Sequence, residues 1–463
     1  MSSRMSDTEA IMWAVEKDPA LRSDFTNITI LEGRPDETRL RAKLDAALDD
    51  IPRLRQRVVS APLRLAPPEW CDDPTLDLEY HLRKVAVPAP GGMRELLDLA
   101  ATFSATPFDR SRPLWEFTMV EGLDDGRVAL LQKIHHAVTD GVGGLRLSLS
   151  LVDFEPDGPT SAAATSSSEK RDDDPPRTTP AGVLADALRF SARRQIDLAR
   201  QGLGAAAHLA THPVEARRDA VSAAQLAASV RRQVLVTEPA RSDLLRHRSL
   251  GRRFEVRQVP LDAVKEAAAA LGGSVNDVFV TAVAGALGTY HERMGKPCDE
   301  LRMAMAVSLR AHGGESTGNS FAPSRVLVPV GPKDPAARFA RVAERLTEVR
   351  QEPALGAVGS LAGLLAPLPT AVLVALTRSQ ARTIDFATSN LRGSPVDLYV
   401  GGARIAANFP MGPRTGCALN VTLLSYKGSL DIGINLDPAA VTDPDALLEC
   451  LDEAFSDLIG GQS

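Results

Sequence analysis

The stretch His135-His136-Ala137-Val138-Thr139-Asp140-Gly141 lies between two apolar segments. Residues 128–134 before it are typical of a buried β-strand, and residues 142–152 after it are typical of a buried helix. A histidine pair followed by an aspartate and a glycine at a strand-to-helix junction is the arrangement expected of a general base held in place. Such a base suits transfer of an acyl group from a thioester to a hydroxyl or an amine.

Four residues of this stretch are the candidate catalytic residues: His136, Asp140, His135 and Gly141. Successive side chains of a strand point to opposite faces, so only one of the two histidines can face a substrate. His136 is the better candidate, because Asp140 follows it by four residues and can orient its imidazole, as in a catalytic triad. Asp140 could instead pair with an arginine and hold the loop. Gly141 permits a tight turn, where backbone N–H groups could stabilise an oxyanion.

Two other chemistries are disfavoured by the sequence. The His136–Asp140 pair could supply two metal ligands, but the remaining histidines form no cluster that would add a third. A serine nucleophile of the hydrolase type would need a GxSxG turn, which the sequence lacks. We therefore expect no metal. A purely structural role for either histidine, held by ordinary hydrogen bonds, stays open.

Composition limits the class of protein. A length of 463 residues favours two domains, and 44% hydrophobic residues indicate a globular chain. The net charge of −6 argues against nucleic acid as a partner, because general nucleic-acid binders need a basic surface. Four cysteines without CxxC spacing, and no apolar run near the N-terminus, favour a cytoplasmic location.

Changes in composition divide the chain into two domains and a linker. Residues 1–154 are interpreted as a mixed helix-and-strand domain, and residues 183–463 as a second α/β domain. Residues 155–182 are rich in Pro, Ser, Thr and Asp, which predicts a flexible linker. The clearest predicted elements are strands at 117–120, 128–134, 254–259, 303–307 and 326–330, helices at 274–294 and 443–458, and a hairpin at 421–426 and 430–435.

One uncharged segment bears on membrane contact. Residues 353–377 are long enough to span a bilayer, but Pro367 and Pro369 interrupt them. We interpret the segment as two helices joined at the prolines. Whether these helices line an acyl tunnel or touch a membrane surface stays open.

Several motifs together resemble one known family. His135–Gly141 matches HHxxxDG, the signature of coenzyme A-dependent acyltransferases. Five further blocks resemble motifs of the bacterial wax ester synthase/acyl-CoA:diacylglycerol acyltransferase family, and their order and spacing fit over almost the whole chain. These blocks are Arg112–Glu116, Ser274–Val278, Gly318–Phe321, Ser389–Gly393 and Asn420–Gly428.

The resemblance implies an α/β fold of the α+β type, with two chloramphenicol-acetyltransferase-like domains, mixed sheets and an active-site tunnel between them. It implies that His136 is the general base in transfer of a long-chain acyl group from acyl-CoA to diacylglycerol, giving triacylglycerol. A long-chain alcohol is the alternative acceptor and would give a wax ester. Acyl-CoA is then a substrate, no bound cofactor is expected, and the surface of the inner membrane or of lipid droplets is a possible site of action.

The resembling blocks also supply residues outside the histidine motif. Asn276, at the start of a predicted helix, is expected to bind substrate, because helix N-termini often face ligands. Ser389 and Asn390 are expected to do the same through the resemblance of their block.

Four residues are expected to support the site structurally. Asp277 follows Ser274 by three residues and fits a capping box at a helix N-terminus. Pro113 and Trp115 are expected to start a strand and fill a core. Arg310 is the expected partner of Asp140.

The chain departs from the family pattern near its start. Many members carry a Met-His-Val-Gly-like stretch after the first helix, whereas here residues 21–28 read Leu-Arg-Ser-Asp-Phe-Thr-Asn-Ile. If that stretch lines a substrate pocket, the usual acceptor is in doubt. Two further functions therefore stay open: acyl transfer from a carrier-bound thioester, and lipid binding without catalysis.

Overall fold

The computed structural model describes most of the chain. It covers residues 3–62, 65–138, 147–148, 150–157, 182, 185–196, 200, 238–308, 321–331, 334–350, 362–363 and 365–460. Asp140, Gly141 and Arg310 lie outside these residues, as does most of the predicted linker 155–182.

The strands are β1 (Ser3–Arg4), β2 (Asp24–Glu32), β3 (Gln56–Val59), β4 (Glu69–Asp72), β5 (Leu82–Ala86), β6 (Trp115–Glu121), β7 (Val128–His135), β8 (Arg253–Pro260), β9 (Glu300–Ser308), β10 (Phe321–Pro329), β11 (Phe386–Arg392), β12 (Tyr399–Val400), β13 (Ala403–Met411), β14 (Leu419–Tyr426) and β15 (Ser429–Leu436). The helices are α1 (Asp7–Val15), α2 (Glu37–Asp50), α3 (Leu78–His81), α4 (Met93–Ala105), α5 (Leu261–Ala270), α6 (Val275–Arg293), α7 (Pro335–Arg350), α8 (Thr370–Ala381) and α9 (Pro444–Gly460). Residues 185–196 are also helical.

Two six-stranded sheets form the centre of the fold. The first sheet has the order β12-β13-β2-β7-β6-β5, and the second has the order β10-β9-β11-β14-β15-β8. Both are mixed: β5 and β6 are parallel in the first sheet, and β11 runs parallel to β9 and β14 in the second. A small three-stranded sheet, β1-β4-β3, lies beside them. This confirms the predicted mixed α/β architecture.

Strand β13 crosses from one half of the chain to the other. It lies within the predicted range 183–463, yet it pairs antiparallel with β2 of the first sheet. The first sheet therefore contains strands from both predicted ranges, 1–154 and 183–463. A pairing between strands so far apart leaves no local pattern in the sequence, so it could not be predicted.

The two sheets meet closely where β13 passes β15. A Cβ atom added to Gly433 would lie 2.0 Å from the carbonyl oxygen of Pro410, so only glycine fits at this position. Beside it, the buried Asp431 carboxylate accepts hydrogen bonds from the Asn408 N–H at 2.7 Å and the Gln258 amide at 2.8 Å. Burial raises the pKa of Asp431, although these donors oppose the rise. Backbone contact and a buried carboxylate thus join the two sheets.

Helix α6 is the central helix of the second half. Apolar side chains around most of its circumference are buried in a core that also includes α7, α9 and the second sheet. Its N-terminus is capped by Ser274, whose Oγ donates to the Asp277 carboxylate at 2.7 Å. The helix is therefore fixed at its first turn as well as along its length.

The local predictions have mixed outcomes. The predicted strands and the helices at 274–294 and 443–458 are confirmed as β6 to β10, α6 and α9, and the predicted hairpin is β14 and β15. Strand β2 was not predicted. Its polar residues Asn27 and Thr29 interrupt the apolar residues of this segment, so the sequence lacks the continuous apolar run that predicts a buried strand.

No single described helix is long and apolar enough to cross a bilayer. Helices α5 and α6 pass that test only as a pair, bent by 95° at the break between them. Of the uncharged segment 353–377, residues 353–361 and 364 lie outside the described residues, and α8 covers its C-terminal end.

Two buried histidines, His81 and His291, should make the free energy of unfolding depend on pH. Burial lowers the pKa of His81 and of His291, and each Nδ1 donates to a backbone carbonyl, at Trp115 and Leu287 respectively. The unfolded chain therefore binds protons below pH ~6.5 that the fold excludes. We expect the free energy of unfolding to fall as the pH drops from 7 towards 5.

Urea unfolding at a series of pH values measures this effect. His291→Gln should flatten the pH dependence, whereas His247→Gln, at an exposed position, should leave it unchanged. Equal slopes for the wild type and His291→Gln would show that His291 does not contribute.

Candidate active site

His135 is fixed inside the first half of the protein. Its side chain is buried, its Nδ1 accepts the N–H of Ala137 at 2.9 Å, and its Nε2 lies 2.6 Å from the Glu16 carboxylate. Because Nδ1 acts as an acceptor, the ring proton belongs on Nε2, facing Glu16. Trp13 and Phe108 present their rings edge-on to the imidazole. These contacts hold the His135 ring, and the bond from the Ala137 N–H to Nδ1 fixes the start of the turn that follows.

The Ser23 peptide connects this buried pair to the next histidine. Its N–H donates to the Glu16 carboxylate at 2.9 Å, and its carbonyl accepts the N–H of His136 at 3.1 Å. Burial acts to raise the pKa of Glu16, but His135 and the Ser23 N–H favour the ionised form and bring that pKa below its usual value. An ionised Glu16 thus fixes both His135 and the strand end beside His136.

His136 is placed differently. It directly follows the last residue of β7, and its side chain is partly exposed, whereas that of His135 is buried. The rings of His136 and Phe25 lie 5.0 Å apart between centroids. Phe25 pairs with Ile134 in the β2–β7 ladder, so His136 lies on the face of the sheet opposite to His135. A partly exposed imidazole whose backbone is held in place can exchange a proton with a bound molecule.

The predicted partners of His136 are not described. Asp140, Gly141 and Arg310 lie outside the described residues, so their roles in orienting the imidazole or supporting the loop stay predictions.

A cavity of about 250 Å³ lies between the two sheets, and we call it the sheet cavity. Leu130 and Gln132 of β7 line it on the face of the strand that carries His136. The opposite wall comes from the end of β11 and from β14, including Arg392 and Leu424. Apolar side chains from both halves of the chain dominate the lining, which suits an acyl chain or another apolar group.

A buried polar network crosses one wall of the sheet cavity. The Asn27 amide donates to Gln132 at 3.1 Å and to Asn408 at 2.5 Å, and the Thr29 hydroxyl donates to Asn408 at 3.2 Å. Thr29, Gln132 and Asn408 all line the cavity. Sequence reasoning did not identify these residues, although Asn27 falls within the atypical stretch 21–28. The network gives an otherwise apolar cavity a place where a polar substrate group can be oriented.

The structure brings together two of the predicted substrate-binding residues. The Asn390 amide donates to the Asn276 side-chain oxygen at 3.2 Å, which joins β11 to the first turn of α6. Asn390 lies two residues before Arg392 and so on the same face of β11 as that residue of the sheet cavity. Ser389 pairs with Thr422 in the β11–β14 ladder, and its side chain points to the other face.

Three of the four predicted support residues, Asp277, Pro113 and Trp115, are described by the structure. Asp277 accepts from Ser274 in the capping box and pairs with Arg350 at 3.1 Å. Pro113 is buried just before β6. Trp115 is fully buried, and its indole N–H donates to the Leu54 carbonyl at 2.7 Å.

A second cavity, of about 550 Å³, lies before the start of β2, next to Ser23. We call it the arginine cavity, because six arginines line it: Arg22, Arg248, Arg252, Arg378, Arg382 and Arg414. Sequence reasoning missed this cluster, since its members are spread from residue 22 to residue 414.

Comparison with protein families gives matches over both halves of the chain. Residues 8–279 match the wax ester synthase/diacylglycerol acyltransferase catalytic domain, and residues 317–459 match the C-terminal domain of the same family. A Mycobacterium tuberculosis protein named as a putative diacylglycerol O-acyltransferase is 36% identical, over 99% of this chain and 92% of its own. A second protein of that organism with the same description is 32% identical, over 86% of this chain and 84% of its own.

Solved structures confirm the fold. The wax ester synthase/diacylglycerol acyltransferase of Marinobacter aquaeolei VT8 superposes with a TM-score of 0.63 at 22% identity, covering 98% of both chains. The starter condensation domain of rhizomide synthetase, solved with C8-CoA and Leu-SNAC, gives a TM-score of 0.59 at 12% identity, over 99% of this chain and 94% of that domain.

The different settings of the two histidines predict different effects on stability. His135→Ala should lower the free energy of unfolding by about 2–4 kcal/mol, because it leaves the Glu16 carboxylate and the Ala137 N–H without their partner. His136→Ala should cost less than about 1 kcal/mol, as is usual for a partly exposed side chain. Urea unfolding of both variants provides the comparison. Equal losses would contradict the structural role of His135.

Proposed function

The chain belongs to the wax ester synthase/diacylglycerol acyltransferase family, and on that premise we propose that it acylates diacylglycerol to form triacylglycerol, with His136 as general base. Membership makes the protein an acyltransferase whose substrates are acyl-CoA and an acyl acceptor. The identity of the acceptor and the role of His136 belong to the proposal.

The position of His136 carries the proposal. Its backbone is held by the Ser23 carbonyl, its ring is partly exposed, and it lies on the face of β7 that lines the sheet cavity. The neutral imidazole takes the proton of the acceptor hydroxyl while that oxygen attacks the thioester carbonyl carbon. When the carbon–sulfur bond breaks, the imidazolium returns the proton to the leaving thiolate. The products are an ester and free coenzyme A, and the imidazole is neutral again.

His135 serves this reaction by positioning. Its buried contacts fix the last residue of β7. Ser23 donates its N–H to Glu16 and accepts the N–H of His136, so it links Glu16 to the backbone of His136. A general base is most effective when its orientation is set before the substrate arrives.

Diacylglycerol is the acceptor that we favour, because the two relatives described above carry that activity in their names. The sheet cavity supports this choice, since it combines apolar walls with the Asn27 network. Ester carbonyls of diacylglycerol could accept hydrogen bonds there, whereas a plain fatty alcohol carries no such groups. Wax ester formation from long-chain alcohols is the second candidate, because the family name includes it.

We further propose a cytoplasmic protein that contacts the inner membrane or a lipid droplet peripherally. Four exposed apolar side chains support this: Leu188 and Ile196 in the helical residues 185–196, and Val372 and Leu376 on α8. The two helices lie close together, because Phe190 and Thr370 line the same cavity.

Vesicle sedimentation tests this surface. Changing Leu188, Ile196, Val372 and Leu376 together to Ser should reduce binding to vesicles containing diolein by roughly tenfold or more, because exposed apolar area drives peripheral binding. Val396→Ser, an exposed apolar residue on neither helix, serves as the control. Unchanged sedimentation of the fourfold variant would contradict the proposed contact.

Release of coenzyme A from palmitoyl-CoA and diolein tests the catalytic proposal. His136→Ala should lower kcat by at least about a hundredfold, because a general base contributes that much or more. The wild type should also lose activity on the acid side, since a protonated imidazole cannot accept a proton.

An intact fold is the control for that loss, and the circular dichroism and thermal transition of His136→Ala should match the wild type. Retained turnover in a folded His136→Ala protein would contradict the role of His136. A panel of diacylglycerols, fatty alcohols, sterols and amines with one long-chain acyl-CoA would identify the acceptor. Lipid bound without turnover on any of them would favour a non-catalytic protein.

A further inference from the structure

The arginine cavity is built by both halves of the chain around a cationic interior. Residues 18–22 and Ala105 come from the first half, and residues 248–252, 378–382, 414–417 and Asp437 from the second. Only two aspartates, Asp18 and Asp437, accompany the six arginines in its lining. In a protein of net charge −6, such an excess of positive charge marks a site for an anion.

Several of these arginines keep donors available. Arg22 uses one guanidinium nitrogen for the Ala105 carbonyl at 2.8 Å. Arg248 donates to the Ile384 carbonyl, while its buried Nη1 has no hydrogen-bond partner among the described residues. Arg382 is exposed at the C-terminal end of α8. Guanidinium groups with free N–H groups bind phosphate oxygens in pairs.

Other arginines of the cavity are held in place by carboxylates. Arg414 pairs with Asp437 at 2.7 Å, and Arg252 pairs with Asp24 at 3.1 Å. Both pairs are largely buried, so these two cations have fixed positions. The cavity thus combines ion-paired arginines in its wall with two that make no ion pair among the described residues, the partly buried Arg22 and the exposed Arg382.

The arginine cavity lies before the start of β2, and the sheet cavity lies against the middle of the same strand. Arg22 precedes β2 and lines the arginine cavity, whereas Thr29 of β2 lines the sheet cavity. Between them, Ser23 accepts the hydrogen bond from the N–H of His136. A molecule that is polyanionic at one end and apolar at the other could therefore extend past His136 with each end in matching surroundings.

We propose that the arginine cavity binds the diphosphate and the 3′-phosphate of acyl-CoA, with the pantetheine arm directed past Ser23 to His136. This inference rests on the proposed function and adds a location for the nucleotide end of the donor. The acyl chain then lies towards the sheet cavity. Coenzyme A carries clustered phosphates on a single molecule, which matches six arginines that line one cavity better than a flat lipid surface does.

Binding of free coenzyme A, measured by titration calorimetry, tests the cavity without any need for turnover. The variant is Arg22→Ala/Arg382→Ala, chosen because neither side chain makes an ion pair with a described residue. We expect its Kd to rise about tenfold or more, since charge-assisted contacts to phosphate are lost. Arg345→Ala, at an exposed arginine on α7 away from the cavity, should keep the wild-type Kd.

Kinetics with two donors give a second readout. Arg22→Ala/Arg382→Ala should raise the KM for palmitoyl-CoA about tenfold more than the KM for palmitoyl-N-acetylcysteamine, a thioester without phosphates. An equal change in both KM values would overturn the phosphate assignment while leaving the proposed function intact. If the wild type turns over neither donor, the proposed function fails, and the calorimetric result still decides whether coenzyme A binds in the cavity.

Two further experiments test whether the cavity instead binds free phosphate or a lipid headgroup. Inorganic phosphate at the same concentration should not displace coenzyme A from the wild type, because a single phosphate engages only part of the cluster. Vesicles of phosphatidylglycerol should bind the double variant and the wild type equally. If the double variant loses vesicle binding and keeps its Kd for coenzyme A, the cavity is a lipid headgroup site and the proposal is wrong.

Discussion

The pairing of β13 with β2 is the constraint on which the arrangement of the two halves depends. A strand from the second half of the chain completes the first sheet, and its backbone touches β15 where Gly433 leaves room. Asp431 binds the Asn408 N–H across this contact. Any larger residue at position 433 would separate the sheets, and a separation there would change both cavities, because β13 and the loop after it contribute to each lining.

The β2–β7 register in turn assigns the two adjacent histidines to separate tasks. Asp24 pairs with His135 in the β2–β7 ladder. The residues just before β2, Glu16 and Ser23, therefore lie beside the end of β7. One histidine becomes part of the scaffold, with Nδ1 bonded to the Ala137 N–H and Nε2 beside the Glu16 carboxylate. The other is partly exposed. The two neighbouring imidazoles differ in role because successive side chains of a strand point to opposite faces of the sheet. Ser23 links their surroundings, since its N–H binds Glu16 and its carbonyl binds the His136 N–H.

The sequence predicted local structure well and long-range structure poorly. Apolar periodicity identified β7 and α6, and alternation along the strand separated His135 from His136. Strand β2 was missed because Asn27 and Thr29 break its apolar pattern for the sake of a network with Asn408, a residue almost 400 positions away. The arginine cavity could not be predicted for the same reason. Its residues become neighbours only through β13 and α8, and no spacing in the sequence links Arg22 to Arg382 or Arg414.

The strand order also has a consequence for how this chain emerges from the ribosome. The first 154 residues can form most of their sheet early, but β2 has no partner on its second edge until residues 403–411 have been synthesised. Until then a strand with unpaired backbone N–H and carbonyl groups along one edge is available to other chains. Nascent protein must therefore be protected from aggregation until residue 411 has been translated, a requirement that follows from the strand order.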